Sequence, residues 1–217
     1  GGTHLPDVTV IAPVFDSGDC VGFVANRAHH ADIGSATPGS MPLSRSLEEE
    51  GVLISPQWLY RDGSLDQDAL DGICRRMRNP DLSAGDFQAQ VAASAFGEKA
   101  FGALVEELGR ERLAEFSQAL NDYAARLASA SISDLPEGCW QAVDRMDCDG
   151  AGGPGPSIRV ALRVQAGRIE VDFDGTDDQV AGNLNCPMSV TAAAVYYALR
   201  CLLPAETPTC AGALECM

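Results

Sequence analysis

The chain has 217 residues, 46% of them hydrophobic, enough to bury a substantial core as one large or two small domains. Its formal net charge of −16, from 31 acidic against 15 basic residues, repels a phosphate backbone or an anionic leaflet, so neither nucleic acid nor membrane is an expected partner. The longest apolar run, AAAVYYALRCLL, is too short to span a bilayer and carries Arg200, and GGTHLPD lacks the basic and apolar regions of a signal peptide. A soluble, cytoplasmic protein is expected.

From Asp7, DVTVIAPVF is β-branched and apolar, and CVGFVANR repeats that character after the turn signal DSGDC, so two paired strands are expected. Between His29 and Glu50 the chain is rich in Gly, Ser, Pro and charge, with no period of either kind, which predicts a loop of about twenty residues. GVLISPQWLY reads as a further strand with a proline at its edge. Asp66 is placed to cap a helix over QDALDGICRRM. Asp81 or Ser83 is placed to cap a long one reaching Leu108, in which Phe101, Leu104, Val105 and Leu108 recur at helical spacing and Gly109 is a natural stop.

A second helix from Arg110 carries Leu113, Phe116, Leu120, Tyr123 and Leu127 as one apolar stripe, expected to pack on the first helix in a hairpin. After DLPEG the flexible connector GAGGPGP leads into SIRVALRV, turned by QAGR into IEVDF. Ile158, Val160, Leu162 and Val164 face one way there and Arg159 and Arg163 the other, a β-hairpin with one wet face. Last, MSVTAAAVYYALRCLL, entered through Asn185 and Pro187, is apolar nearly all round and predicts a buried helix.

Strands and helices fall in blocks rather than in strict alternation. The expected fold class is therefore α+β (mixed): β-hairpin and sheet segments with a central helical hairpin and a buried C-terminal helix. Three segments of one larger region are expected: 1–65, a strand pair with a metal-site loop, the segment that carries the histidines; 66–132, the helical hairpin; and 133–217, a β-hairpin plus buried helix. A chain that opens on a functional-looking motif and stops at AGALECM is expected to be part of a longer one. Its eight cysteines contain no C-x-x-C pair and read as reduced thiols.

All three histidines lie near one end, at His4, His29 and His30. His4 and Asp7 precede the first strand and His29 ends the second, and a turn that pairs two strands brings their outer ends together. Two imidazoles and one carboxylate suit a divalent cation with open positions, as in non-haem iron, manganese or catalytic zinc sites. The plainer alternative is that His4 and Asp7 only share a turn hydrogen bond. His30 is a substitute ligand, a hydrogen-bond donor behind the site or a general acid; Asp32 orients an imidazole or caps a turn. Glu48, Glu49 and Glu50 read as a solvated charge run. Asp172, Asp174, Asp177 and Asp178 around Gly175 lack the ligand spacing of a calcium loop and read as an acidic turn. No phosphate loop occurs, and Lys99, the single lysine, sits in a predicted helix, so no nucleotide-binding residue is expected here.

GGTHLPDVTVIAPVF, GFVANRAHHADIGSATPGSMP, EEEGVLI, RNPDLSAGDFQAQVAA and VDFDGTDDQVAGNLNCPMSVTAAAVYYALRCLL together resemble the hydantoinase B/5-oxoprolinase family, which includes the alpha subunits of acetone carboxylases. The likeness covers essentially the whole chain and corresponds to the central part of the longer family chains. It implies a metal-dependent subunit that works in a hetero-oligomer with a kinase-like hydantoinase A-type partner, the partner subunit or domain binding ATP. It also implies that the metal, manganese or alternatively zinc or iron, is held by His4, Asp7 and His29, leaving His30 and Asp32 as catalytic candidates. The implied reaction is ATP-dependent opening of a small cyclic amide, a lactam or cyclic ureide such as 5-oxoproline or N-methylhydantoin. The alternatives are an alpha-type subunit of an ATP-dependent ketone carboxylase and a non-catalytic scaffold fragment. Substrate-binding residues are not assigned by the resemblance.

Overall fold

The computed structural model describes residues 4–39, 42–61 and 63–216; Gly1, Gly2 and Thr3 of the opening motif, Ser40 and Met41 of the loop, Asp62 and Met217 lie outside the described residues. Contacts divide the chain into two compact units, residues 2–110 and 111–217, so the expected strand pair and the first long helix share a unit, and the second long helix joins the later strands. The mixed α+β class holds in both.

In the first unit, β1 (Asp7–Asp16) and β2 (Asp19–His29) pair antiparallel in a register that sets Asp7 opposite His29 and Asp16 opposite Asp19. Ser17 and Gly18 close this hairpin at φ +50° and +91°, the pair of left-handed residues that a two-residue turn requires to match strand twist. The chain continues through the single turn α1 (Leu47–Glu50), the minimal ladder β3 (Tyr60–Arg61) and β4 (Ser64–Leu65), then α2 (Gln67–Cys74) and α3 (Pro80–Leu108). Asp66 caps α2 as expected, its Oδ1 accepting from the Ala69 amide at 2.9 Å.

The cap of α3 is Asn79, with Pro80 at the first helical position, and neither Asp81 nor Ser83. Asn79 supplies a side-chain acceptor for the Leu82 amide, and Pro80 supplies a helical φ where no N–H is needed. Ser83 instead begins the strand-facing stripe of the helix: Ser83, Phe87, Gln90, Ser94 and Val105 are buried, with half-buried Gly97 and Phe101 between them. Two glycines set the distance between α3 and the strands. A Cβ on Gly97 would fall 2.6 Å from Cγ1 of Val24, and one on Gly22 would fall 2.8 Å from Cζ of Phe101. Gly109 ends α3 with φ +77°.

The strand expected over GVLISPQWLY is reduced to Tyr60–Arg61. Pro56 has no N–H for a ladder, and the segment is held by its side chains instead. Val52 donates its amide to the Ile33 carbonyl at 2.8 Å, and Val52, Ile54 and Leu59 join the core of Ile33, Leu70, Ile73, Cys74, Met77 and Phe87.

After Gly109, α4 (Arg110–Ser133) leads into the second unit, where β5 (Gly138–Arg145), β6 (Ser157–Gln165) and β7 (Arg168–Asp172) form a sheet in that order, followed by α5 (Met188–Leu202) and a 3-10 turn at Ala211–Leu214. β6 and β7 are the expected hairpin. β5 was not legible, because seven of its eight residues are exposed and carry no alternation to read. GAGGPGP, expected as a flexible connector, is tied by Asp149 Oδ1, which accepts from the amides of Ala151 at 2.8 Å and Gly153 at 2.7 Å.

Two helical faces differ from expectation. On α4 the buried residues are Ala124, Ala128 and Ile132, whereas Phe116, Leu120 and Tyr123 stay almost half exposed. Small side chains admit close neighbours: Gly212 packs so tightly on Asn121 that a Cβ there would overlap its carbonyl, and the Gly212 amide donates to Asn121 Oδ1 at 3.1 Å. Each long helix thus buries a face in the core of its own unit. α5 forms where expected, but Leu199 is its one buried residue, and Met188, Tyr197 and Leu202 are exposed. The second core consists of Ala124, Ala128, Ile132, Val164, Ile169, Leu199, Leu203, Ala213 and Cys216. No helix among the described residues is long and apolar enough to cross a membrane.

Candidate metal centre

At the open end of the first hairpin, the Asp7 amide donates to the His4 carbonyl at 3.2 Å, a turn that swings His4 over the start of β1. The carbonyl of buried Pro6 then accepts from both Val8 (2.8 Å) and His30 (2.9 Å), tying the entry of β1 to the exit of β2. Because Asp7 and His29 are register partners, their side chains leave the same face.

The three expected ligands converge. Nδ1 of His4 lies 3.1 Å from Asp7 Oδ2, and Nδ1 of His29 lies 2.9 Å from Asp7 Oδ1. The two imidazoles meet edge to face at 5.7 Å between centroids, and one ligand atom from each of the three residues falls within 4.8 Å of the others. His29 also donates through Nε2 to the Gly39 carbonyl at 2.5 Å. Gly39 presents that oxygen from a left-handed conformation, φ +78°, with its own amide donating to Ala31.

Electrostatics follow from this arrangement. The Gly39 carbonyl and then the Asp7 carboxylate stabilise a charged His29 ring and raise its pKa above the ordinary 6.5. Burial opposes ionisation of Asp7, but hydrogen bonds from His29 and His4, together with their charge, outweigh it and hold the carboxyl below its usual range. One carboxylate between two imidazoles, each directing a ring nitrogen at it, is a donor set that a divalent cation fits: the nitrogen lone pairs that now carry or share protons are the ones a cation would take. The side chains remain 29%, 19% and 44% exposed for His4, Asp7 and His29, so positions for further ligands are open to solvent.

His30 leaves the opposite face of the chain and is 2% exposed. Its Nε2 lies 2.8 Å from Gln90 Oε1, and its ring packs on Phe87 at 4.6 Å. The tautomer is dictated by neighbours. Gln90 Nε2 donates to the Val8 carbonyl at 3.0 Å, which only a donor can do, and to Asn26 Oδ1 at 2.9 Å. Gln90 Oε1 is therefore the acceptor, and His30 must donate through Nε2–H. Nδ1, buried, has no partner among the described residues.

Asp32 commits both oxygens to backbone amides, Gly34 at 2.8 Å and Asn79 at 2.9 Å. Burial opposes its ionisation, but those amides and the Arg78 charge lower its pKa, and its role is to fasten the loop to the start of α3. That is the turn-capping alternative rather than the orientation of an imidazole.

Gln90, Asn26 and Ser94 support the site and were missed. Asn26 donates to the Gln90 carbonyl (2.9 Å) and to Ser94 Oγ (2.8 Å), so a polar network joins α3 to the strands that carry the centre. The one sequence signal of Gln90 and Ser94 is that they share a helical stripe with Phe87, which apolar periodicity does not register, and Asn26 on β2 carries none. Within the Glu48–Glu50 run, Glu49 Oε2 accepts from the Arg45 amide just ahead of α1 at 2.7 Å. Asp172 and Asp177 likewise accept backbone amides, those of Asp174 (2.9 Å) and Ser157 (2.7 Å), as an acidic turn does.

The whole chain, residues 1–217, matches Hydantoinase B/oxoprolinase. It is 33% identical over 231 residues to the 5-oxoprolinase of Saccharomyces cerevisiae, a match covering 99% of this chain and 18% of that protein. The crystal structure of the ATP-dependent caprolactamase from Pseudomonas jessenii superposes with a TM-score of 0.91 at 25% identity, over 99% of this chain and 37% of that one. Acetone carboxylase in a nucleotide-free structure superposes with a TM-score of 0.85 at 20% identity, over 98% and 30% of the two chains, a likeness of fold. The chain therefore spans well under half the length of these relatives, and it belongs to the hydantoinase B/oxoprolinase family.

Proposed function

We propose that this chain is the metal-dependent part of an ATP-dependent amidohydrolase of the cytoplasm that opens a small cyclic amide, of the 5-oxoproline or N-methylhydantoin type, with ATP bound by a hydantoinase A-type partner subunit or domain. The observation that carries the reading is the convergence of His4, Asp7 and His29 on one exposed face of a family member. Those three residues would hold a divalent metal, manganese or alternatively zinc or iron, which would supply Lewis acidity and a route to hydroxide near neutral pH.

A lactam carbon is a poor electrophile. Transfer of the ATP γ-phosphoryl group to the ring oxygen, with ADP leaving, makes it a good one. Water then adds to that carbon, the C–N bond breaks with a proton going to nitrogen, and the resulting acyl phosphate hydrolyses to carboxylate and phosphate. The roles of this chain are to present the ligand set at an open surface, to keep Asp7 ionised between its imidazoles, and to hold the strand ends through His30 and the loop through Asp32 as positioning groups. ATP handling falls to the partner, because the sequence has no phosphate loop and one lysine.

The test is ATP-dependent hydrolysis of 5-oxoproline and N-methylhydantoin by the intact protein with its A-type partner, alongside metal analysis. Stoichiometric metal with ring opening supports the reading. Bicarbonate-dependent consumption of a ketone in place of ring opening assigns the carboxylase alternative, and neither metal nor turnover leaves a scaffold.

A further inference from the structure

The face of the β1–β2 hairpin that carries the candidate centre continues beyond it. Strand alternation puts Asp7, Thr9 and Ile11 of β1, with His29, Arg27 and Ala25 of β2, on that one face, and the register pairs them as Asp7 with His29, Thr9 with Arg27 and Ile11 with Ala25. The other face is the one that meets α3, since Asn26 bonds Gln90 and Ser94 there. Arg27 therefore stands one pleat from the cluster, about 7 Å along the strand from His29. Its Nε donates to Thr9 Oγ1 at 3.0 Å, and this is its one side-chain hydrogen bond among the described residues. The threonine fixes the stem of the guanidinium and leaves Nη1 and Nη2 as an exposed planar fork. No carboxylate neutralises that fork among the described residues, although acidic residues outnumber basic ones two to one. Two arginines among the described residues do pair with carboxylates, Arg110 with Asp16 and Asp19, and Arg163 with Glu170 at 3.0 Å. One residue further along the same face, Ile11 is 61% exposed and offers an apolar surface.

We infer that Arg27 is the anion-recognising and specificity-determining residue of this site: its terminal fork takes a pair of anionic oxygens on the reacting molecule. Two sources carry that chemistry, a carboxylate borne by the ring substrate and the phosphoryl group placed on the ring oxygen. This rests on the ring-opening reading for the identity of the ligand, but on geometry alone for the residue. Arg27 is exposed and serves no core contact, so its variants fold.

The experiment uses the intact protein with its A-type partner and compares wild type, Arg27→Gln and Arg27→Lys on 5-oxoproline and on 2-pyrrolidinone, the same ring without the carboxylate. Binding is measured calorimetrically without ATP, and kcat and KM with it. If the fork takes the substrate carboxylate, wild type binds 5-oxoproline at least about tenfold tighter than 2-pyrrolidinone, Arg27→Gln erases the difference, and Arg27→Lys restores only part of it. If the fork takes the phosphoryl group, Arg27→Gln leaves ATP-free binding of both rings intact and lowers kcat about tenfold or more for both. Unchanged binding and unchanged kcat in Arg27→Gln overturn the inference. Should wild type turn over neither ring, the ring-opening reading fails separately, and titration with inorganic phosphate and acetate then decides Arg27: anion binding lost in Arg27→Gln supports it, and equal binding or none overturns it.

Discussion

The two hairpins of this protein are built alike and used differently. Both are closed by a two-residue turn with positive φ, Ser17–Gly18 in one and Ala166–Gly167 in the other, and both turn one face to a core and one to water. On the wet face of β6–β7 the register partners Arg163 and Glu170 form an ion pair with both side chains more than half exposed. Such a pair is complete in itself and is screened by solvent. On the wet face of β1–β2 the register partners Asp7 and His29 are joined by His4 from the preceding turn, giving one carboxylate to two imidazoles in a partly covered position. The contrast shows that a cross-strand charged pair becomes a candidate site when a third group from outside the ladder leaves its coordination incomplete.

The contrast breaks most completely at Asp7. Asp7→Asn, His4→Ala and His29→Ala are each expected to lower metal affinity more than about a hundredfold, read by metal analysis of the dialysed protein, whereas Glu170→Gln leaves metal content unchanged. Metal retained by Asp7→Asn would remove the assignment.

The next largest effect is expected behind the site. Gln90→Leu leaves His30 Nε2–H, the Val8 carbonyl and Asn26 Oδ1 without their partner in a buried setting, at a cost of about 3 kcal/mol in urea unfolding. In the wild type, nitrogen-detected NMR of the metal-free protein should place the His30 ring proton on Nε2, and Gln90→Leu should redistribute it. A wild-type ring protonated at Nδ1 alone would contradict the network.

A change of pH sharpens the comparison with opposite signs. The raised pKa of His29 means that metal-free folding gains from its charged form below about 6.5 and loses that gain as pH rises through the raised value. Asp7 acts in the other direction, its lowered pKa giving a contribution present above about 3.8 and lost as pH falls through the lowered value. Metal binding must displace the His29 proton, so affinity should increase with pH across the same window in which the metal-free fold loses the stabilisation from charged His29. Chemical-shift titration of His29, set beside metal titrations at several pH values, checks both slopes. A His29 midpoint below 6.5 would count against the Gly39 and Asp7 contacts.

The smallest effect belongs to the second hairpin. Glu170→Ala should change stability by less than about 1 kcal/mol, because the pair it breaks is exposed, and a larger loss in thermal unfolding would mean that the wet faces differ less than the geometry indicates.

By itself the sequence determined the features that depend on neighbours along the chain. Both hairpins followed from alternation and turn residues, α2 from Asp66 and its spacing, and the stop of α3 from Gly109. Because a tight turn places strand ends side by side, the meeting of His4, Asp7 and His29 was also legible. Tertiary structure decided which helical faces are covered and what each polar group meets. Leu120 and Tyr123 were periodic enough to predict a helix, but close approach favours small side chains, and the buried positions of α4 went to Ala124 and Ala128. In the same way, a glutamine distant in sequence sets the tautomer of His30, and backbone amides of two separate segments claim Asp32. Hydrogen-bond partners chosen across dozens of residues leave no period in a sequence, since the physical requirement is satisfaction of a donor or acceptor in space and not a spacing along the chain.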